Sequence, residues 1–198
     1  DLIDKLFLND KKDFLLKDTF ASNNIILKEI KNKYFKNLEM ISNNSQHVTD
    51  KMLLNFKWLG IIKLIIPNAK IIHCIRDPRD NCISIFKNFF PAKGMEFSSS
   101  LENIVEYYLL YRDLMKYWHK TFPGFVLDLN YEELIDYPDI TVKNIFKYLK
   151  LKWEKNCMNF YKSKRPVKTA SDVQIRKPMN KGSINSWINY EPYLNNIF

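Results

Sequence analysis

Apolar residues return every four positions at Ile26, Ile30, Tyr34 and Leu38, between the capping pair Asn23-Asn24 and the polar break Ser42-Asn43-Asn44-Ser45. That spacing predicts an amphipathic helix, whereas residues 1–22 mix Lys, Asp, Leu and Phe without a sustained period and predict only short helical turns. Val48-Thr49-Asp50-Lys51 predicts a short extended piece, and 54–66 a mostly buried helix stopped by Pro67. The apolar run 71–75 after the Pro67-Asn68 turn reads as a buried strand. Asp77 then supplies an N-cap and Pro78 a first-turn proline, and apolar spacing resumes at Ile83, Ile85 and Phe86. Residues 91–98 predict a loop, and Ser99-Ser100-Leu101-Glu102 a capping box that opens a long packed helix running to about Lys120. Phe122-Pro123-Gly124 predicts a turn, 125–129 a second short strand, 140–149 a helix capped by Pro138-Asp139, and 154–161 a further short helix. The last forty residues carry little apolar period before Trp187. Helices alternating with short buried strands predict an α/β fold, a parallel sheet flanked by helices.

Composition narrows this to one domain over 1–198. The chain has 198 residues and is 46% hydrophobic, enough for a sizeable core, and no Gly/Ser/Pro-rich segment divides it. The net charge of +9 is spread along the chain except between Lys162 and Lys181, where Lys162, Lys164, Arg165, Lys168, Arg176, Lys177 and Lys181 face only Asp172. That bias suits an anionic small ligand about as well as a polynucleotide. Cys74, Cys82 and Cys157 form no C-x-x-C pair, and two of them sit in apolar runs, so buried reduced thiols are expected and, with them, a cytoplasmic location. The longest apolar stretch, 59–67, is interrupted by Lys63 and is too short to cross a bilayer, so no membrane segment is expected.

Chemistry concentrates in the strand, turn and helix of 71–84. Arg76 ends the strand, Arg79 lies in the first helical turn, and the Ser84 hydroxyl follows two turns in. Together with the free N–H groups of the helix start, they can face one anion, and a phosphate site is expected. The competing reading is structural: Arg76 paired with Asp77 or Asp80, and Ser84 bonded to a backbone carbonyl.

Four stretches in register resemble the sulfotransferases that use 3′-phosphoadenosine 5′-phosphosulfate, in the branch of the tyrosylprotein enzymes and bacterial relatives with tetratricopeptide repeats. They are Val48-Thr49-Asp50-Lys51-Met52-Leu53-Leu54-Asn55-Phe56, the unit from Pro67 to Ser84, Leu129-Asn130-Tyr131-Glu132, and Thr169-Ala170-Ser171-Asp172-Val173-Gln174-Ile175-Arg176-Lys177-Pro178 with Trp187 beyond. The resemblance implies a P-loop-type nucleotide-binding fold and transfer of a sulfuryl group to an acceptor hydroxyl or amine. It implies that Arg76 and Ser84 hold the 3′-phosphate of the donor, that Tyr131 lies near the adenine, and that Arg176 and Lys177, with Ser183, close over the phosphates. Lys51 and Ser171 are the implied catalytic pair at the transferring group. Charge that builds on the leaving phosphate and the sulfonyl oxygens calls for a fixed ammonium, and no metal is implied. Leu53 departs from the pattern, since these relatives generally carry proline there.

The family's phosphosulfate loop, of the Pro-x-Ser-Gly-Thr-Thr type, does not occur in the sequence. The resemblance therefore implies a partial domain that lacks its first strand and loop, with the general base upstream of Asp1 and little turnover by 1–198 alone. His47, His73 and His119 are expected to be structural or solvated. The acceptor stays open among small molecule, glycan and protein tyrosine; no nucleic acid is expected. Two other classes stay open: a non-catalytic module binding sulfated or phosphorylated polymers or nucleotides, and a P-loop-type kinase.

Overall fold

The computed structural model describes residues 24–42, 45–88, 90, 94–163 and 175–194. Two compact units divide the chain at residue 69, and each is described by itself. In the first, α1 (Asn24–Ser42) is the helix predicted from the four-residue period. The single helix expected over 54–66 is instead a 3₁₀ segment, Leu53–Trp58, that passes into α2 (Leu59–Ile65). The tighter turn matches the side chains available. Residues 53–58 have no buried member, whereas Leu59, Ile61 and Ile65 of α2 are buried and give the α-helical face something to pack. Ile61 and Ile65 close on Ile30 of α1, with Leu27, Trp58 and Ile66 around them. Residues 47–52 form no helix and pair with no strand, and Met52 has an extended backbone.

The second unit is built on two parallel strands, β1 (Ile71–Ile75) and β2 (Val126–Asn130), in the register Ile71↔Val126 to Ile75↔Asn130. This is an α/β arrangement with a parallel sheet, as the alternation of elements predicts. After β1 comes α3 (Pro78–Phe86), with Asp77 as its N-cap and Pro78 in its first turn. A 3₁₀ turn (Glu96–Ser99) leads to α4 (Leu101–Thr121). The cap of α4 is Ser100, whose hydroxyl accepts from the Asn103 N–H at 3.4 Å and donates to Glu102 at 2.6 Å. Glu102 thus reaches its cap from two residues on, not from the capping-box position three residues on. Gly124, at φ 72°, turns the chain from α4 into β2.

β2 runs straight into α5 (Tyr131–Asp136), capped by the Asn130 side chain, and then into α6 (Pro138–Leu149). Tyr148 of α6 pins the starts of both strands: its hydroxyl donates to the Phe125 carbonyl at 2.9 Å, while the Ile71 N–H donates to it at 3.1 Å. Two 3₁₀ segments, Lys155–Lys162 and Ser186–Tyr193, complete the described chain; the second has no apolar period and was not predicted. No helix among the described residues is long and apolar enough to cross a membrane.

Only one of the two strand-and-helix cysteines expected to be buried is so. Cys82 sits with Ile104 and Val105 in the contact between α3 and α4, but Cys74 points outward from β1, and Cys157 is exposed. Burial, aided by the negative charge of Asp77, pushes the Cys82 thiol up to about 12. Thiolate is the reactive form, so a maleimide at neutral pH will label Cys74 and Cys157 in the native protein and reach Cys82 only after denaturation. Mass spectrometry of the labelled peptides checks this, and equal labelling of all three would contradict the packing of α3 on α4.

Candidate functional site at the ends of the parallel strands

Because Ile75 pairs with Asn130, the residues that follow them, Arg76 and Tyr131, leave the same edge of the sheet side by side. The Arg76 guanidinium carbon lies 5.5 Å from the centre of the Tyr131 ring. Carboxyl ends of parallel strands are where open α/β sheets bind ligands. The Tyr131 hydroxyl is 2.9 Å from the hydroxyl of Ser183, which the C-terminal segment brings to the edge. Arg76 Nη2 donates to the Ser183 carbonyl and lies 3.8 Å from Asp80, while Arg76 Nε is buried without a hydrogen-bond partner. An orphaned N–H is unusual, because a buried donor without an acceptor is costly.

The helix start does not offer its amides as expected. Asp77 accepts from the Arg79 N–H at 2.8 Å and the Asp80 N–H at 3.3 Å, and the Asp77 N–H itself donates to Glu132 of α5 at 3.0 Å. Arg79 folds back on Asp77 at 2.8 Å and lies flat under the Trp187 ring, 3.7 Å from its centre. The hydrogen bond from Arg79 holds the Asp77 carboxyl below the usual carboxylate range, against partial burial and with help from the two backbone N–H groups. These groups satisfy one another, so what the edge has left to offer is side chains: Arg76, Tyr131, Ser183 and, on α3, the half-buried Ser84. Ser84 stands six residues into the helix, about 9 Å along its axis from Pro78.

Asp80 organises the edge, and sequence reasoning saw it only as a partner for Arg76. It has no exposed surface. Its carboxylate accepts from the Asn185 N–H at 2.7 Å, the Ser186 hydroxyl at 2.9 Å and the Trp187 N–H at 2.9 Å. Asn185, in the left-handed conformation at φ 58°, turns the chain so that its own N–H, the Ser186 hydroxyl and the Trp187 N–H reach one carboxylate. A single buried acid on α3 thereby ties residues 185–187 across the strand end. The signal was present in the sequence as an acid in a helix that is otherwise apolar on its inner face, but its donors lie more than a hundred residues away.

The other expected site residues are distributed as follows. Arg176 is half-buried and donates to the Ser163 carbonyl, and Lys177 is exposed. Ser171 lies outside the described residues. Lys51, in the first unit, is exposed, next to an Asp50 that is held on both oxygens. Tyr34 donates to Asp50 at 2.9 Å and the Asn55 side chain does so at 3.3 Å. Burial and the Asp50 charge push the Tyr34 phenol above its ordinary range, which keeps it a proton donor. His47 is exposed, whereas His73 and His119 join Asp128 in a polar cluster midway along the strands, a grouping the sequence did not suggest.

Residues 9–155 match the family described as "Sulfotransferase family". Over 171 residues the chain is 35% identical to an "Uncharacterized protein" of Aquifex aeolicus (strain VF5), covering 85% of this chain and 22% of that one. Over 129 residues it is 25% identical to a "Putative protein-tyrosine sulfotransferase" of Caenorhabditis briggsae, covering 65% of this chain and 46% of that one. The chain thus spans less than half the length of either relative.

Proposed function

Since this chain belongs to the sulfotransferase family, we propose that it carries the donor-binding part of an enzyme that moves a sulfuryl group from 3′-phosphoadenosine 5′-phosphosulfate to an acceptor hydroxyl or amine. The observation that carries the reading is the side-by-side exit of Arg76 and Tyr131 from the parallel strands, with the Arg76 Nε–H buried and unpaired. Arg76 and Ser84 hold the 3′-phosphate of the donor substrate. Tyr131 packs at the adenine end, and Arg176 and Lys177 neutralise phosphate charge from the C-terminal segment. Lys51 and Ser171 act at the group in transfer, where an ammonium and a hydroxyl offset the charge that develops as the sulfur–oxygen bond loosens. The family match runs across the boundary between the two units, and we take both as parts of one sulfotransferase domain over 1–198.

Titration calorimetry with 3′-phosphoadenosine 5′-phosphate tests the donor site. Binding by the gene product that carries this sequence is expected, weakened ~30-fold or more by Arg76→Ala, which is the ~2 kcal/mol of a charge-assisted hydrogen bond. Affinity untouched by Arg76→Ala would overturn the assignment. Steeply salt-dependent binding of a sulfated polymer, indifferent to the nucleotide, would instead indicate a polymer-binding module.

A further inference from the structure

Midway along the two strands, away from the donor edge, three side chains from three elements converge. His73 of β1 faces its register partner Asp128 of β2, and its Nδ1 donates to Asp128 Oδ1 at 2.7 Å. His119, in the last turn of α4, donates from Nε2 to the same carboxylate oxygen at 3.1 Å. The two imidazole nitrogens and the carboxylate oxygen lie within 4.8 Å of one another. On its other side His73 Nε2 is hydrogen-bonded to the Tyr111 hydroxyl, which belongs to α4. A histidine, an aspartate, a second histidine and a tyrosine thus interrupt a surface where a helix covers a parallel sheet, and where apolar side chains are the rule.

We propose that His73, His119 and Asp128 form a three-ligand site for a divalent transition ion of the zinc class. Four features of the cluster support this. Two imidazoles and one carboxylate are a donor set that suits Zn²⁺, whereas Mg²⁺ and Ca²⁺ prefer all-oxygen surroundings. In a tetrahedral site with bonds of about 2.0–2.1 Å, neighbouring ligand atoms stand about 3.3 Å apart. The observed separations of 2.7 and 3.1 Å are therefore those of a site contracted around two protons. Tyr111 supplies the outer partner that ligating histidines usually have. With the ion on Nδ1, the His73 proton resides on Nε2 and is donated to the tyrosine oxygen. The site is also reachable, since the His119 and Asp128 side chains are 37% and 44% exposed while His73, at 14%, is held from beneath.

Binding moves the two ring protons now shared with Asp128 to the opposite imidazole nitrogens and links β1, β2 and α4 through one centre. The ion takes no part in sulfuryl transfer. His73 precedes Arg76 by three residues, about 10 Å along the strand.

Titration of the apo protein with Zn²⁺ at neutral pH is expected to give one site and a rise in melting temperature. Co²⁺ in its place is expected to show the visible bands of a four- or five-coordinate centre. His119→Gln and Asp128→Asn, both at accessible positions, should each weaken binding by at least ~10-fold, a loss of the size seen even for outer-shell partners. His47→Gln, at an exposed histidine of the first unit, should change nothing. Absence of a stoichiometric site, or a site equally strong in His119→Gln, would overturn the proposal and leave a hydrogen-bonded strut. Neither result bears on nucleotide binding at Arg76.

Discussion

Under the proposed function, replacement of Lys51 by alanine is expected to lower the turnover of the protein carrying this sequence by ~10²–10³-fold, the usual cost of removing one group that stabilises charge in a transition state. The affinity for 3′-phosphoadenosine 5′-phosphate falls little, because the loss concerns charge that exists only during transfer. The fold is also unaffected. Lys51 is exposed, and substitutions at such positions usually change stability by less than about 0.5 kcal/mol. Its neighbour Asp50 keeps both hydrogen bonds, to Tyr34 and Asn55, so the backbone that presents residue 51 stays in place. Lys51→Arg keeps the charge but not the compact ammonium, and recovers part of the rate. Steady-state kinetics with separate kcat and KM, beside a thermal melt, decide the matter. A loss below ~3-fold, or one that tracks a fall in melting temperature, would remove Lys51 from the reaction.

The second large effect is on stability. Asp80→Ala leaves two backbone N–H groups, at Asn185 and Trp187, and the Ser186 hydroxyl without their acceptor, around a carboxylate position that is itself fully buried. It also removes the carboxylate 3.8 Å from Arg76. Breaking one side of a buried charged network costs ~3–5 kcal/mol, which for a chain of this size corresponds to a fall of roughly 10 °C in melting temperature. Asp80→Asn is expected to lose a large part of this too. Its amide has one acceptor oxygen where the carboxylate had two, and turns N–H groups toward other donors. Amide exchange locates the effect. The Asn185 and Trp187 amides should exchange much faster, while the β1–β2 ladder keeps its protection at temperatures below the melt. A melting temperature changed by less than about 2 °C would mean that residues 185–187 are held by something else.

The two experiments probe different parts of the chain. Lys51 is exposed, whereas the Asp80 carboxylate is engaged by the C-terminal segment and by Arg76. Of the Arg76 N–H groups, one is committed to the Ser183 carbonyl and Nε is unpaired.

Local signals were enough for most of the architecture. The four-residue period announced α1, the apolar run and Asp77-Pro78 announced β1 and α3, and the parallel pairing followed from alternating helices and strands. Each of these rests on neighbours within one or two turns. The placement of Arg76 and Tyr131 at the strand ends was also legible, since Arg76 follows the first predicted strand, Tyr131 lies two residues past the second, and parallel strands expose such residues together. The 3₁₀ start before α2 was not legible, because period alone does not say whether a face will find a partner to pack on. The outward turn of Cys74 escaped for the same reason, as one face of a five-residue apolar strand can remain uncovered.

Long-range pairing is what the linear pattern left undetermined. Asp80 meets donors 105–107 residues away, Glu132 caps the backbone of Asp77 across 55 residues, and His73 finds Asp128 at the same separation. A carboxylate's hydrogen-bonding capacity can be read from its chemistry, but its partners depend on which segments the sheet register and the left-handed turn at Asn185 bring together. Composition and spacing therefore placed basic and hydroxyl side chains, Arg76 and Ser84, in and after the strand-and-helix turn. Tertiary contacts alone determined that the helix amides there are already spent, that Arg76 retains an unpaired N–H, and that two histidines share one aspartate in the middle of the sheet.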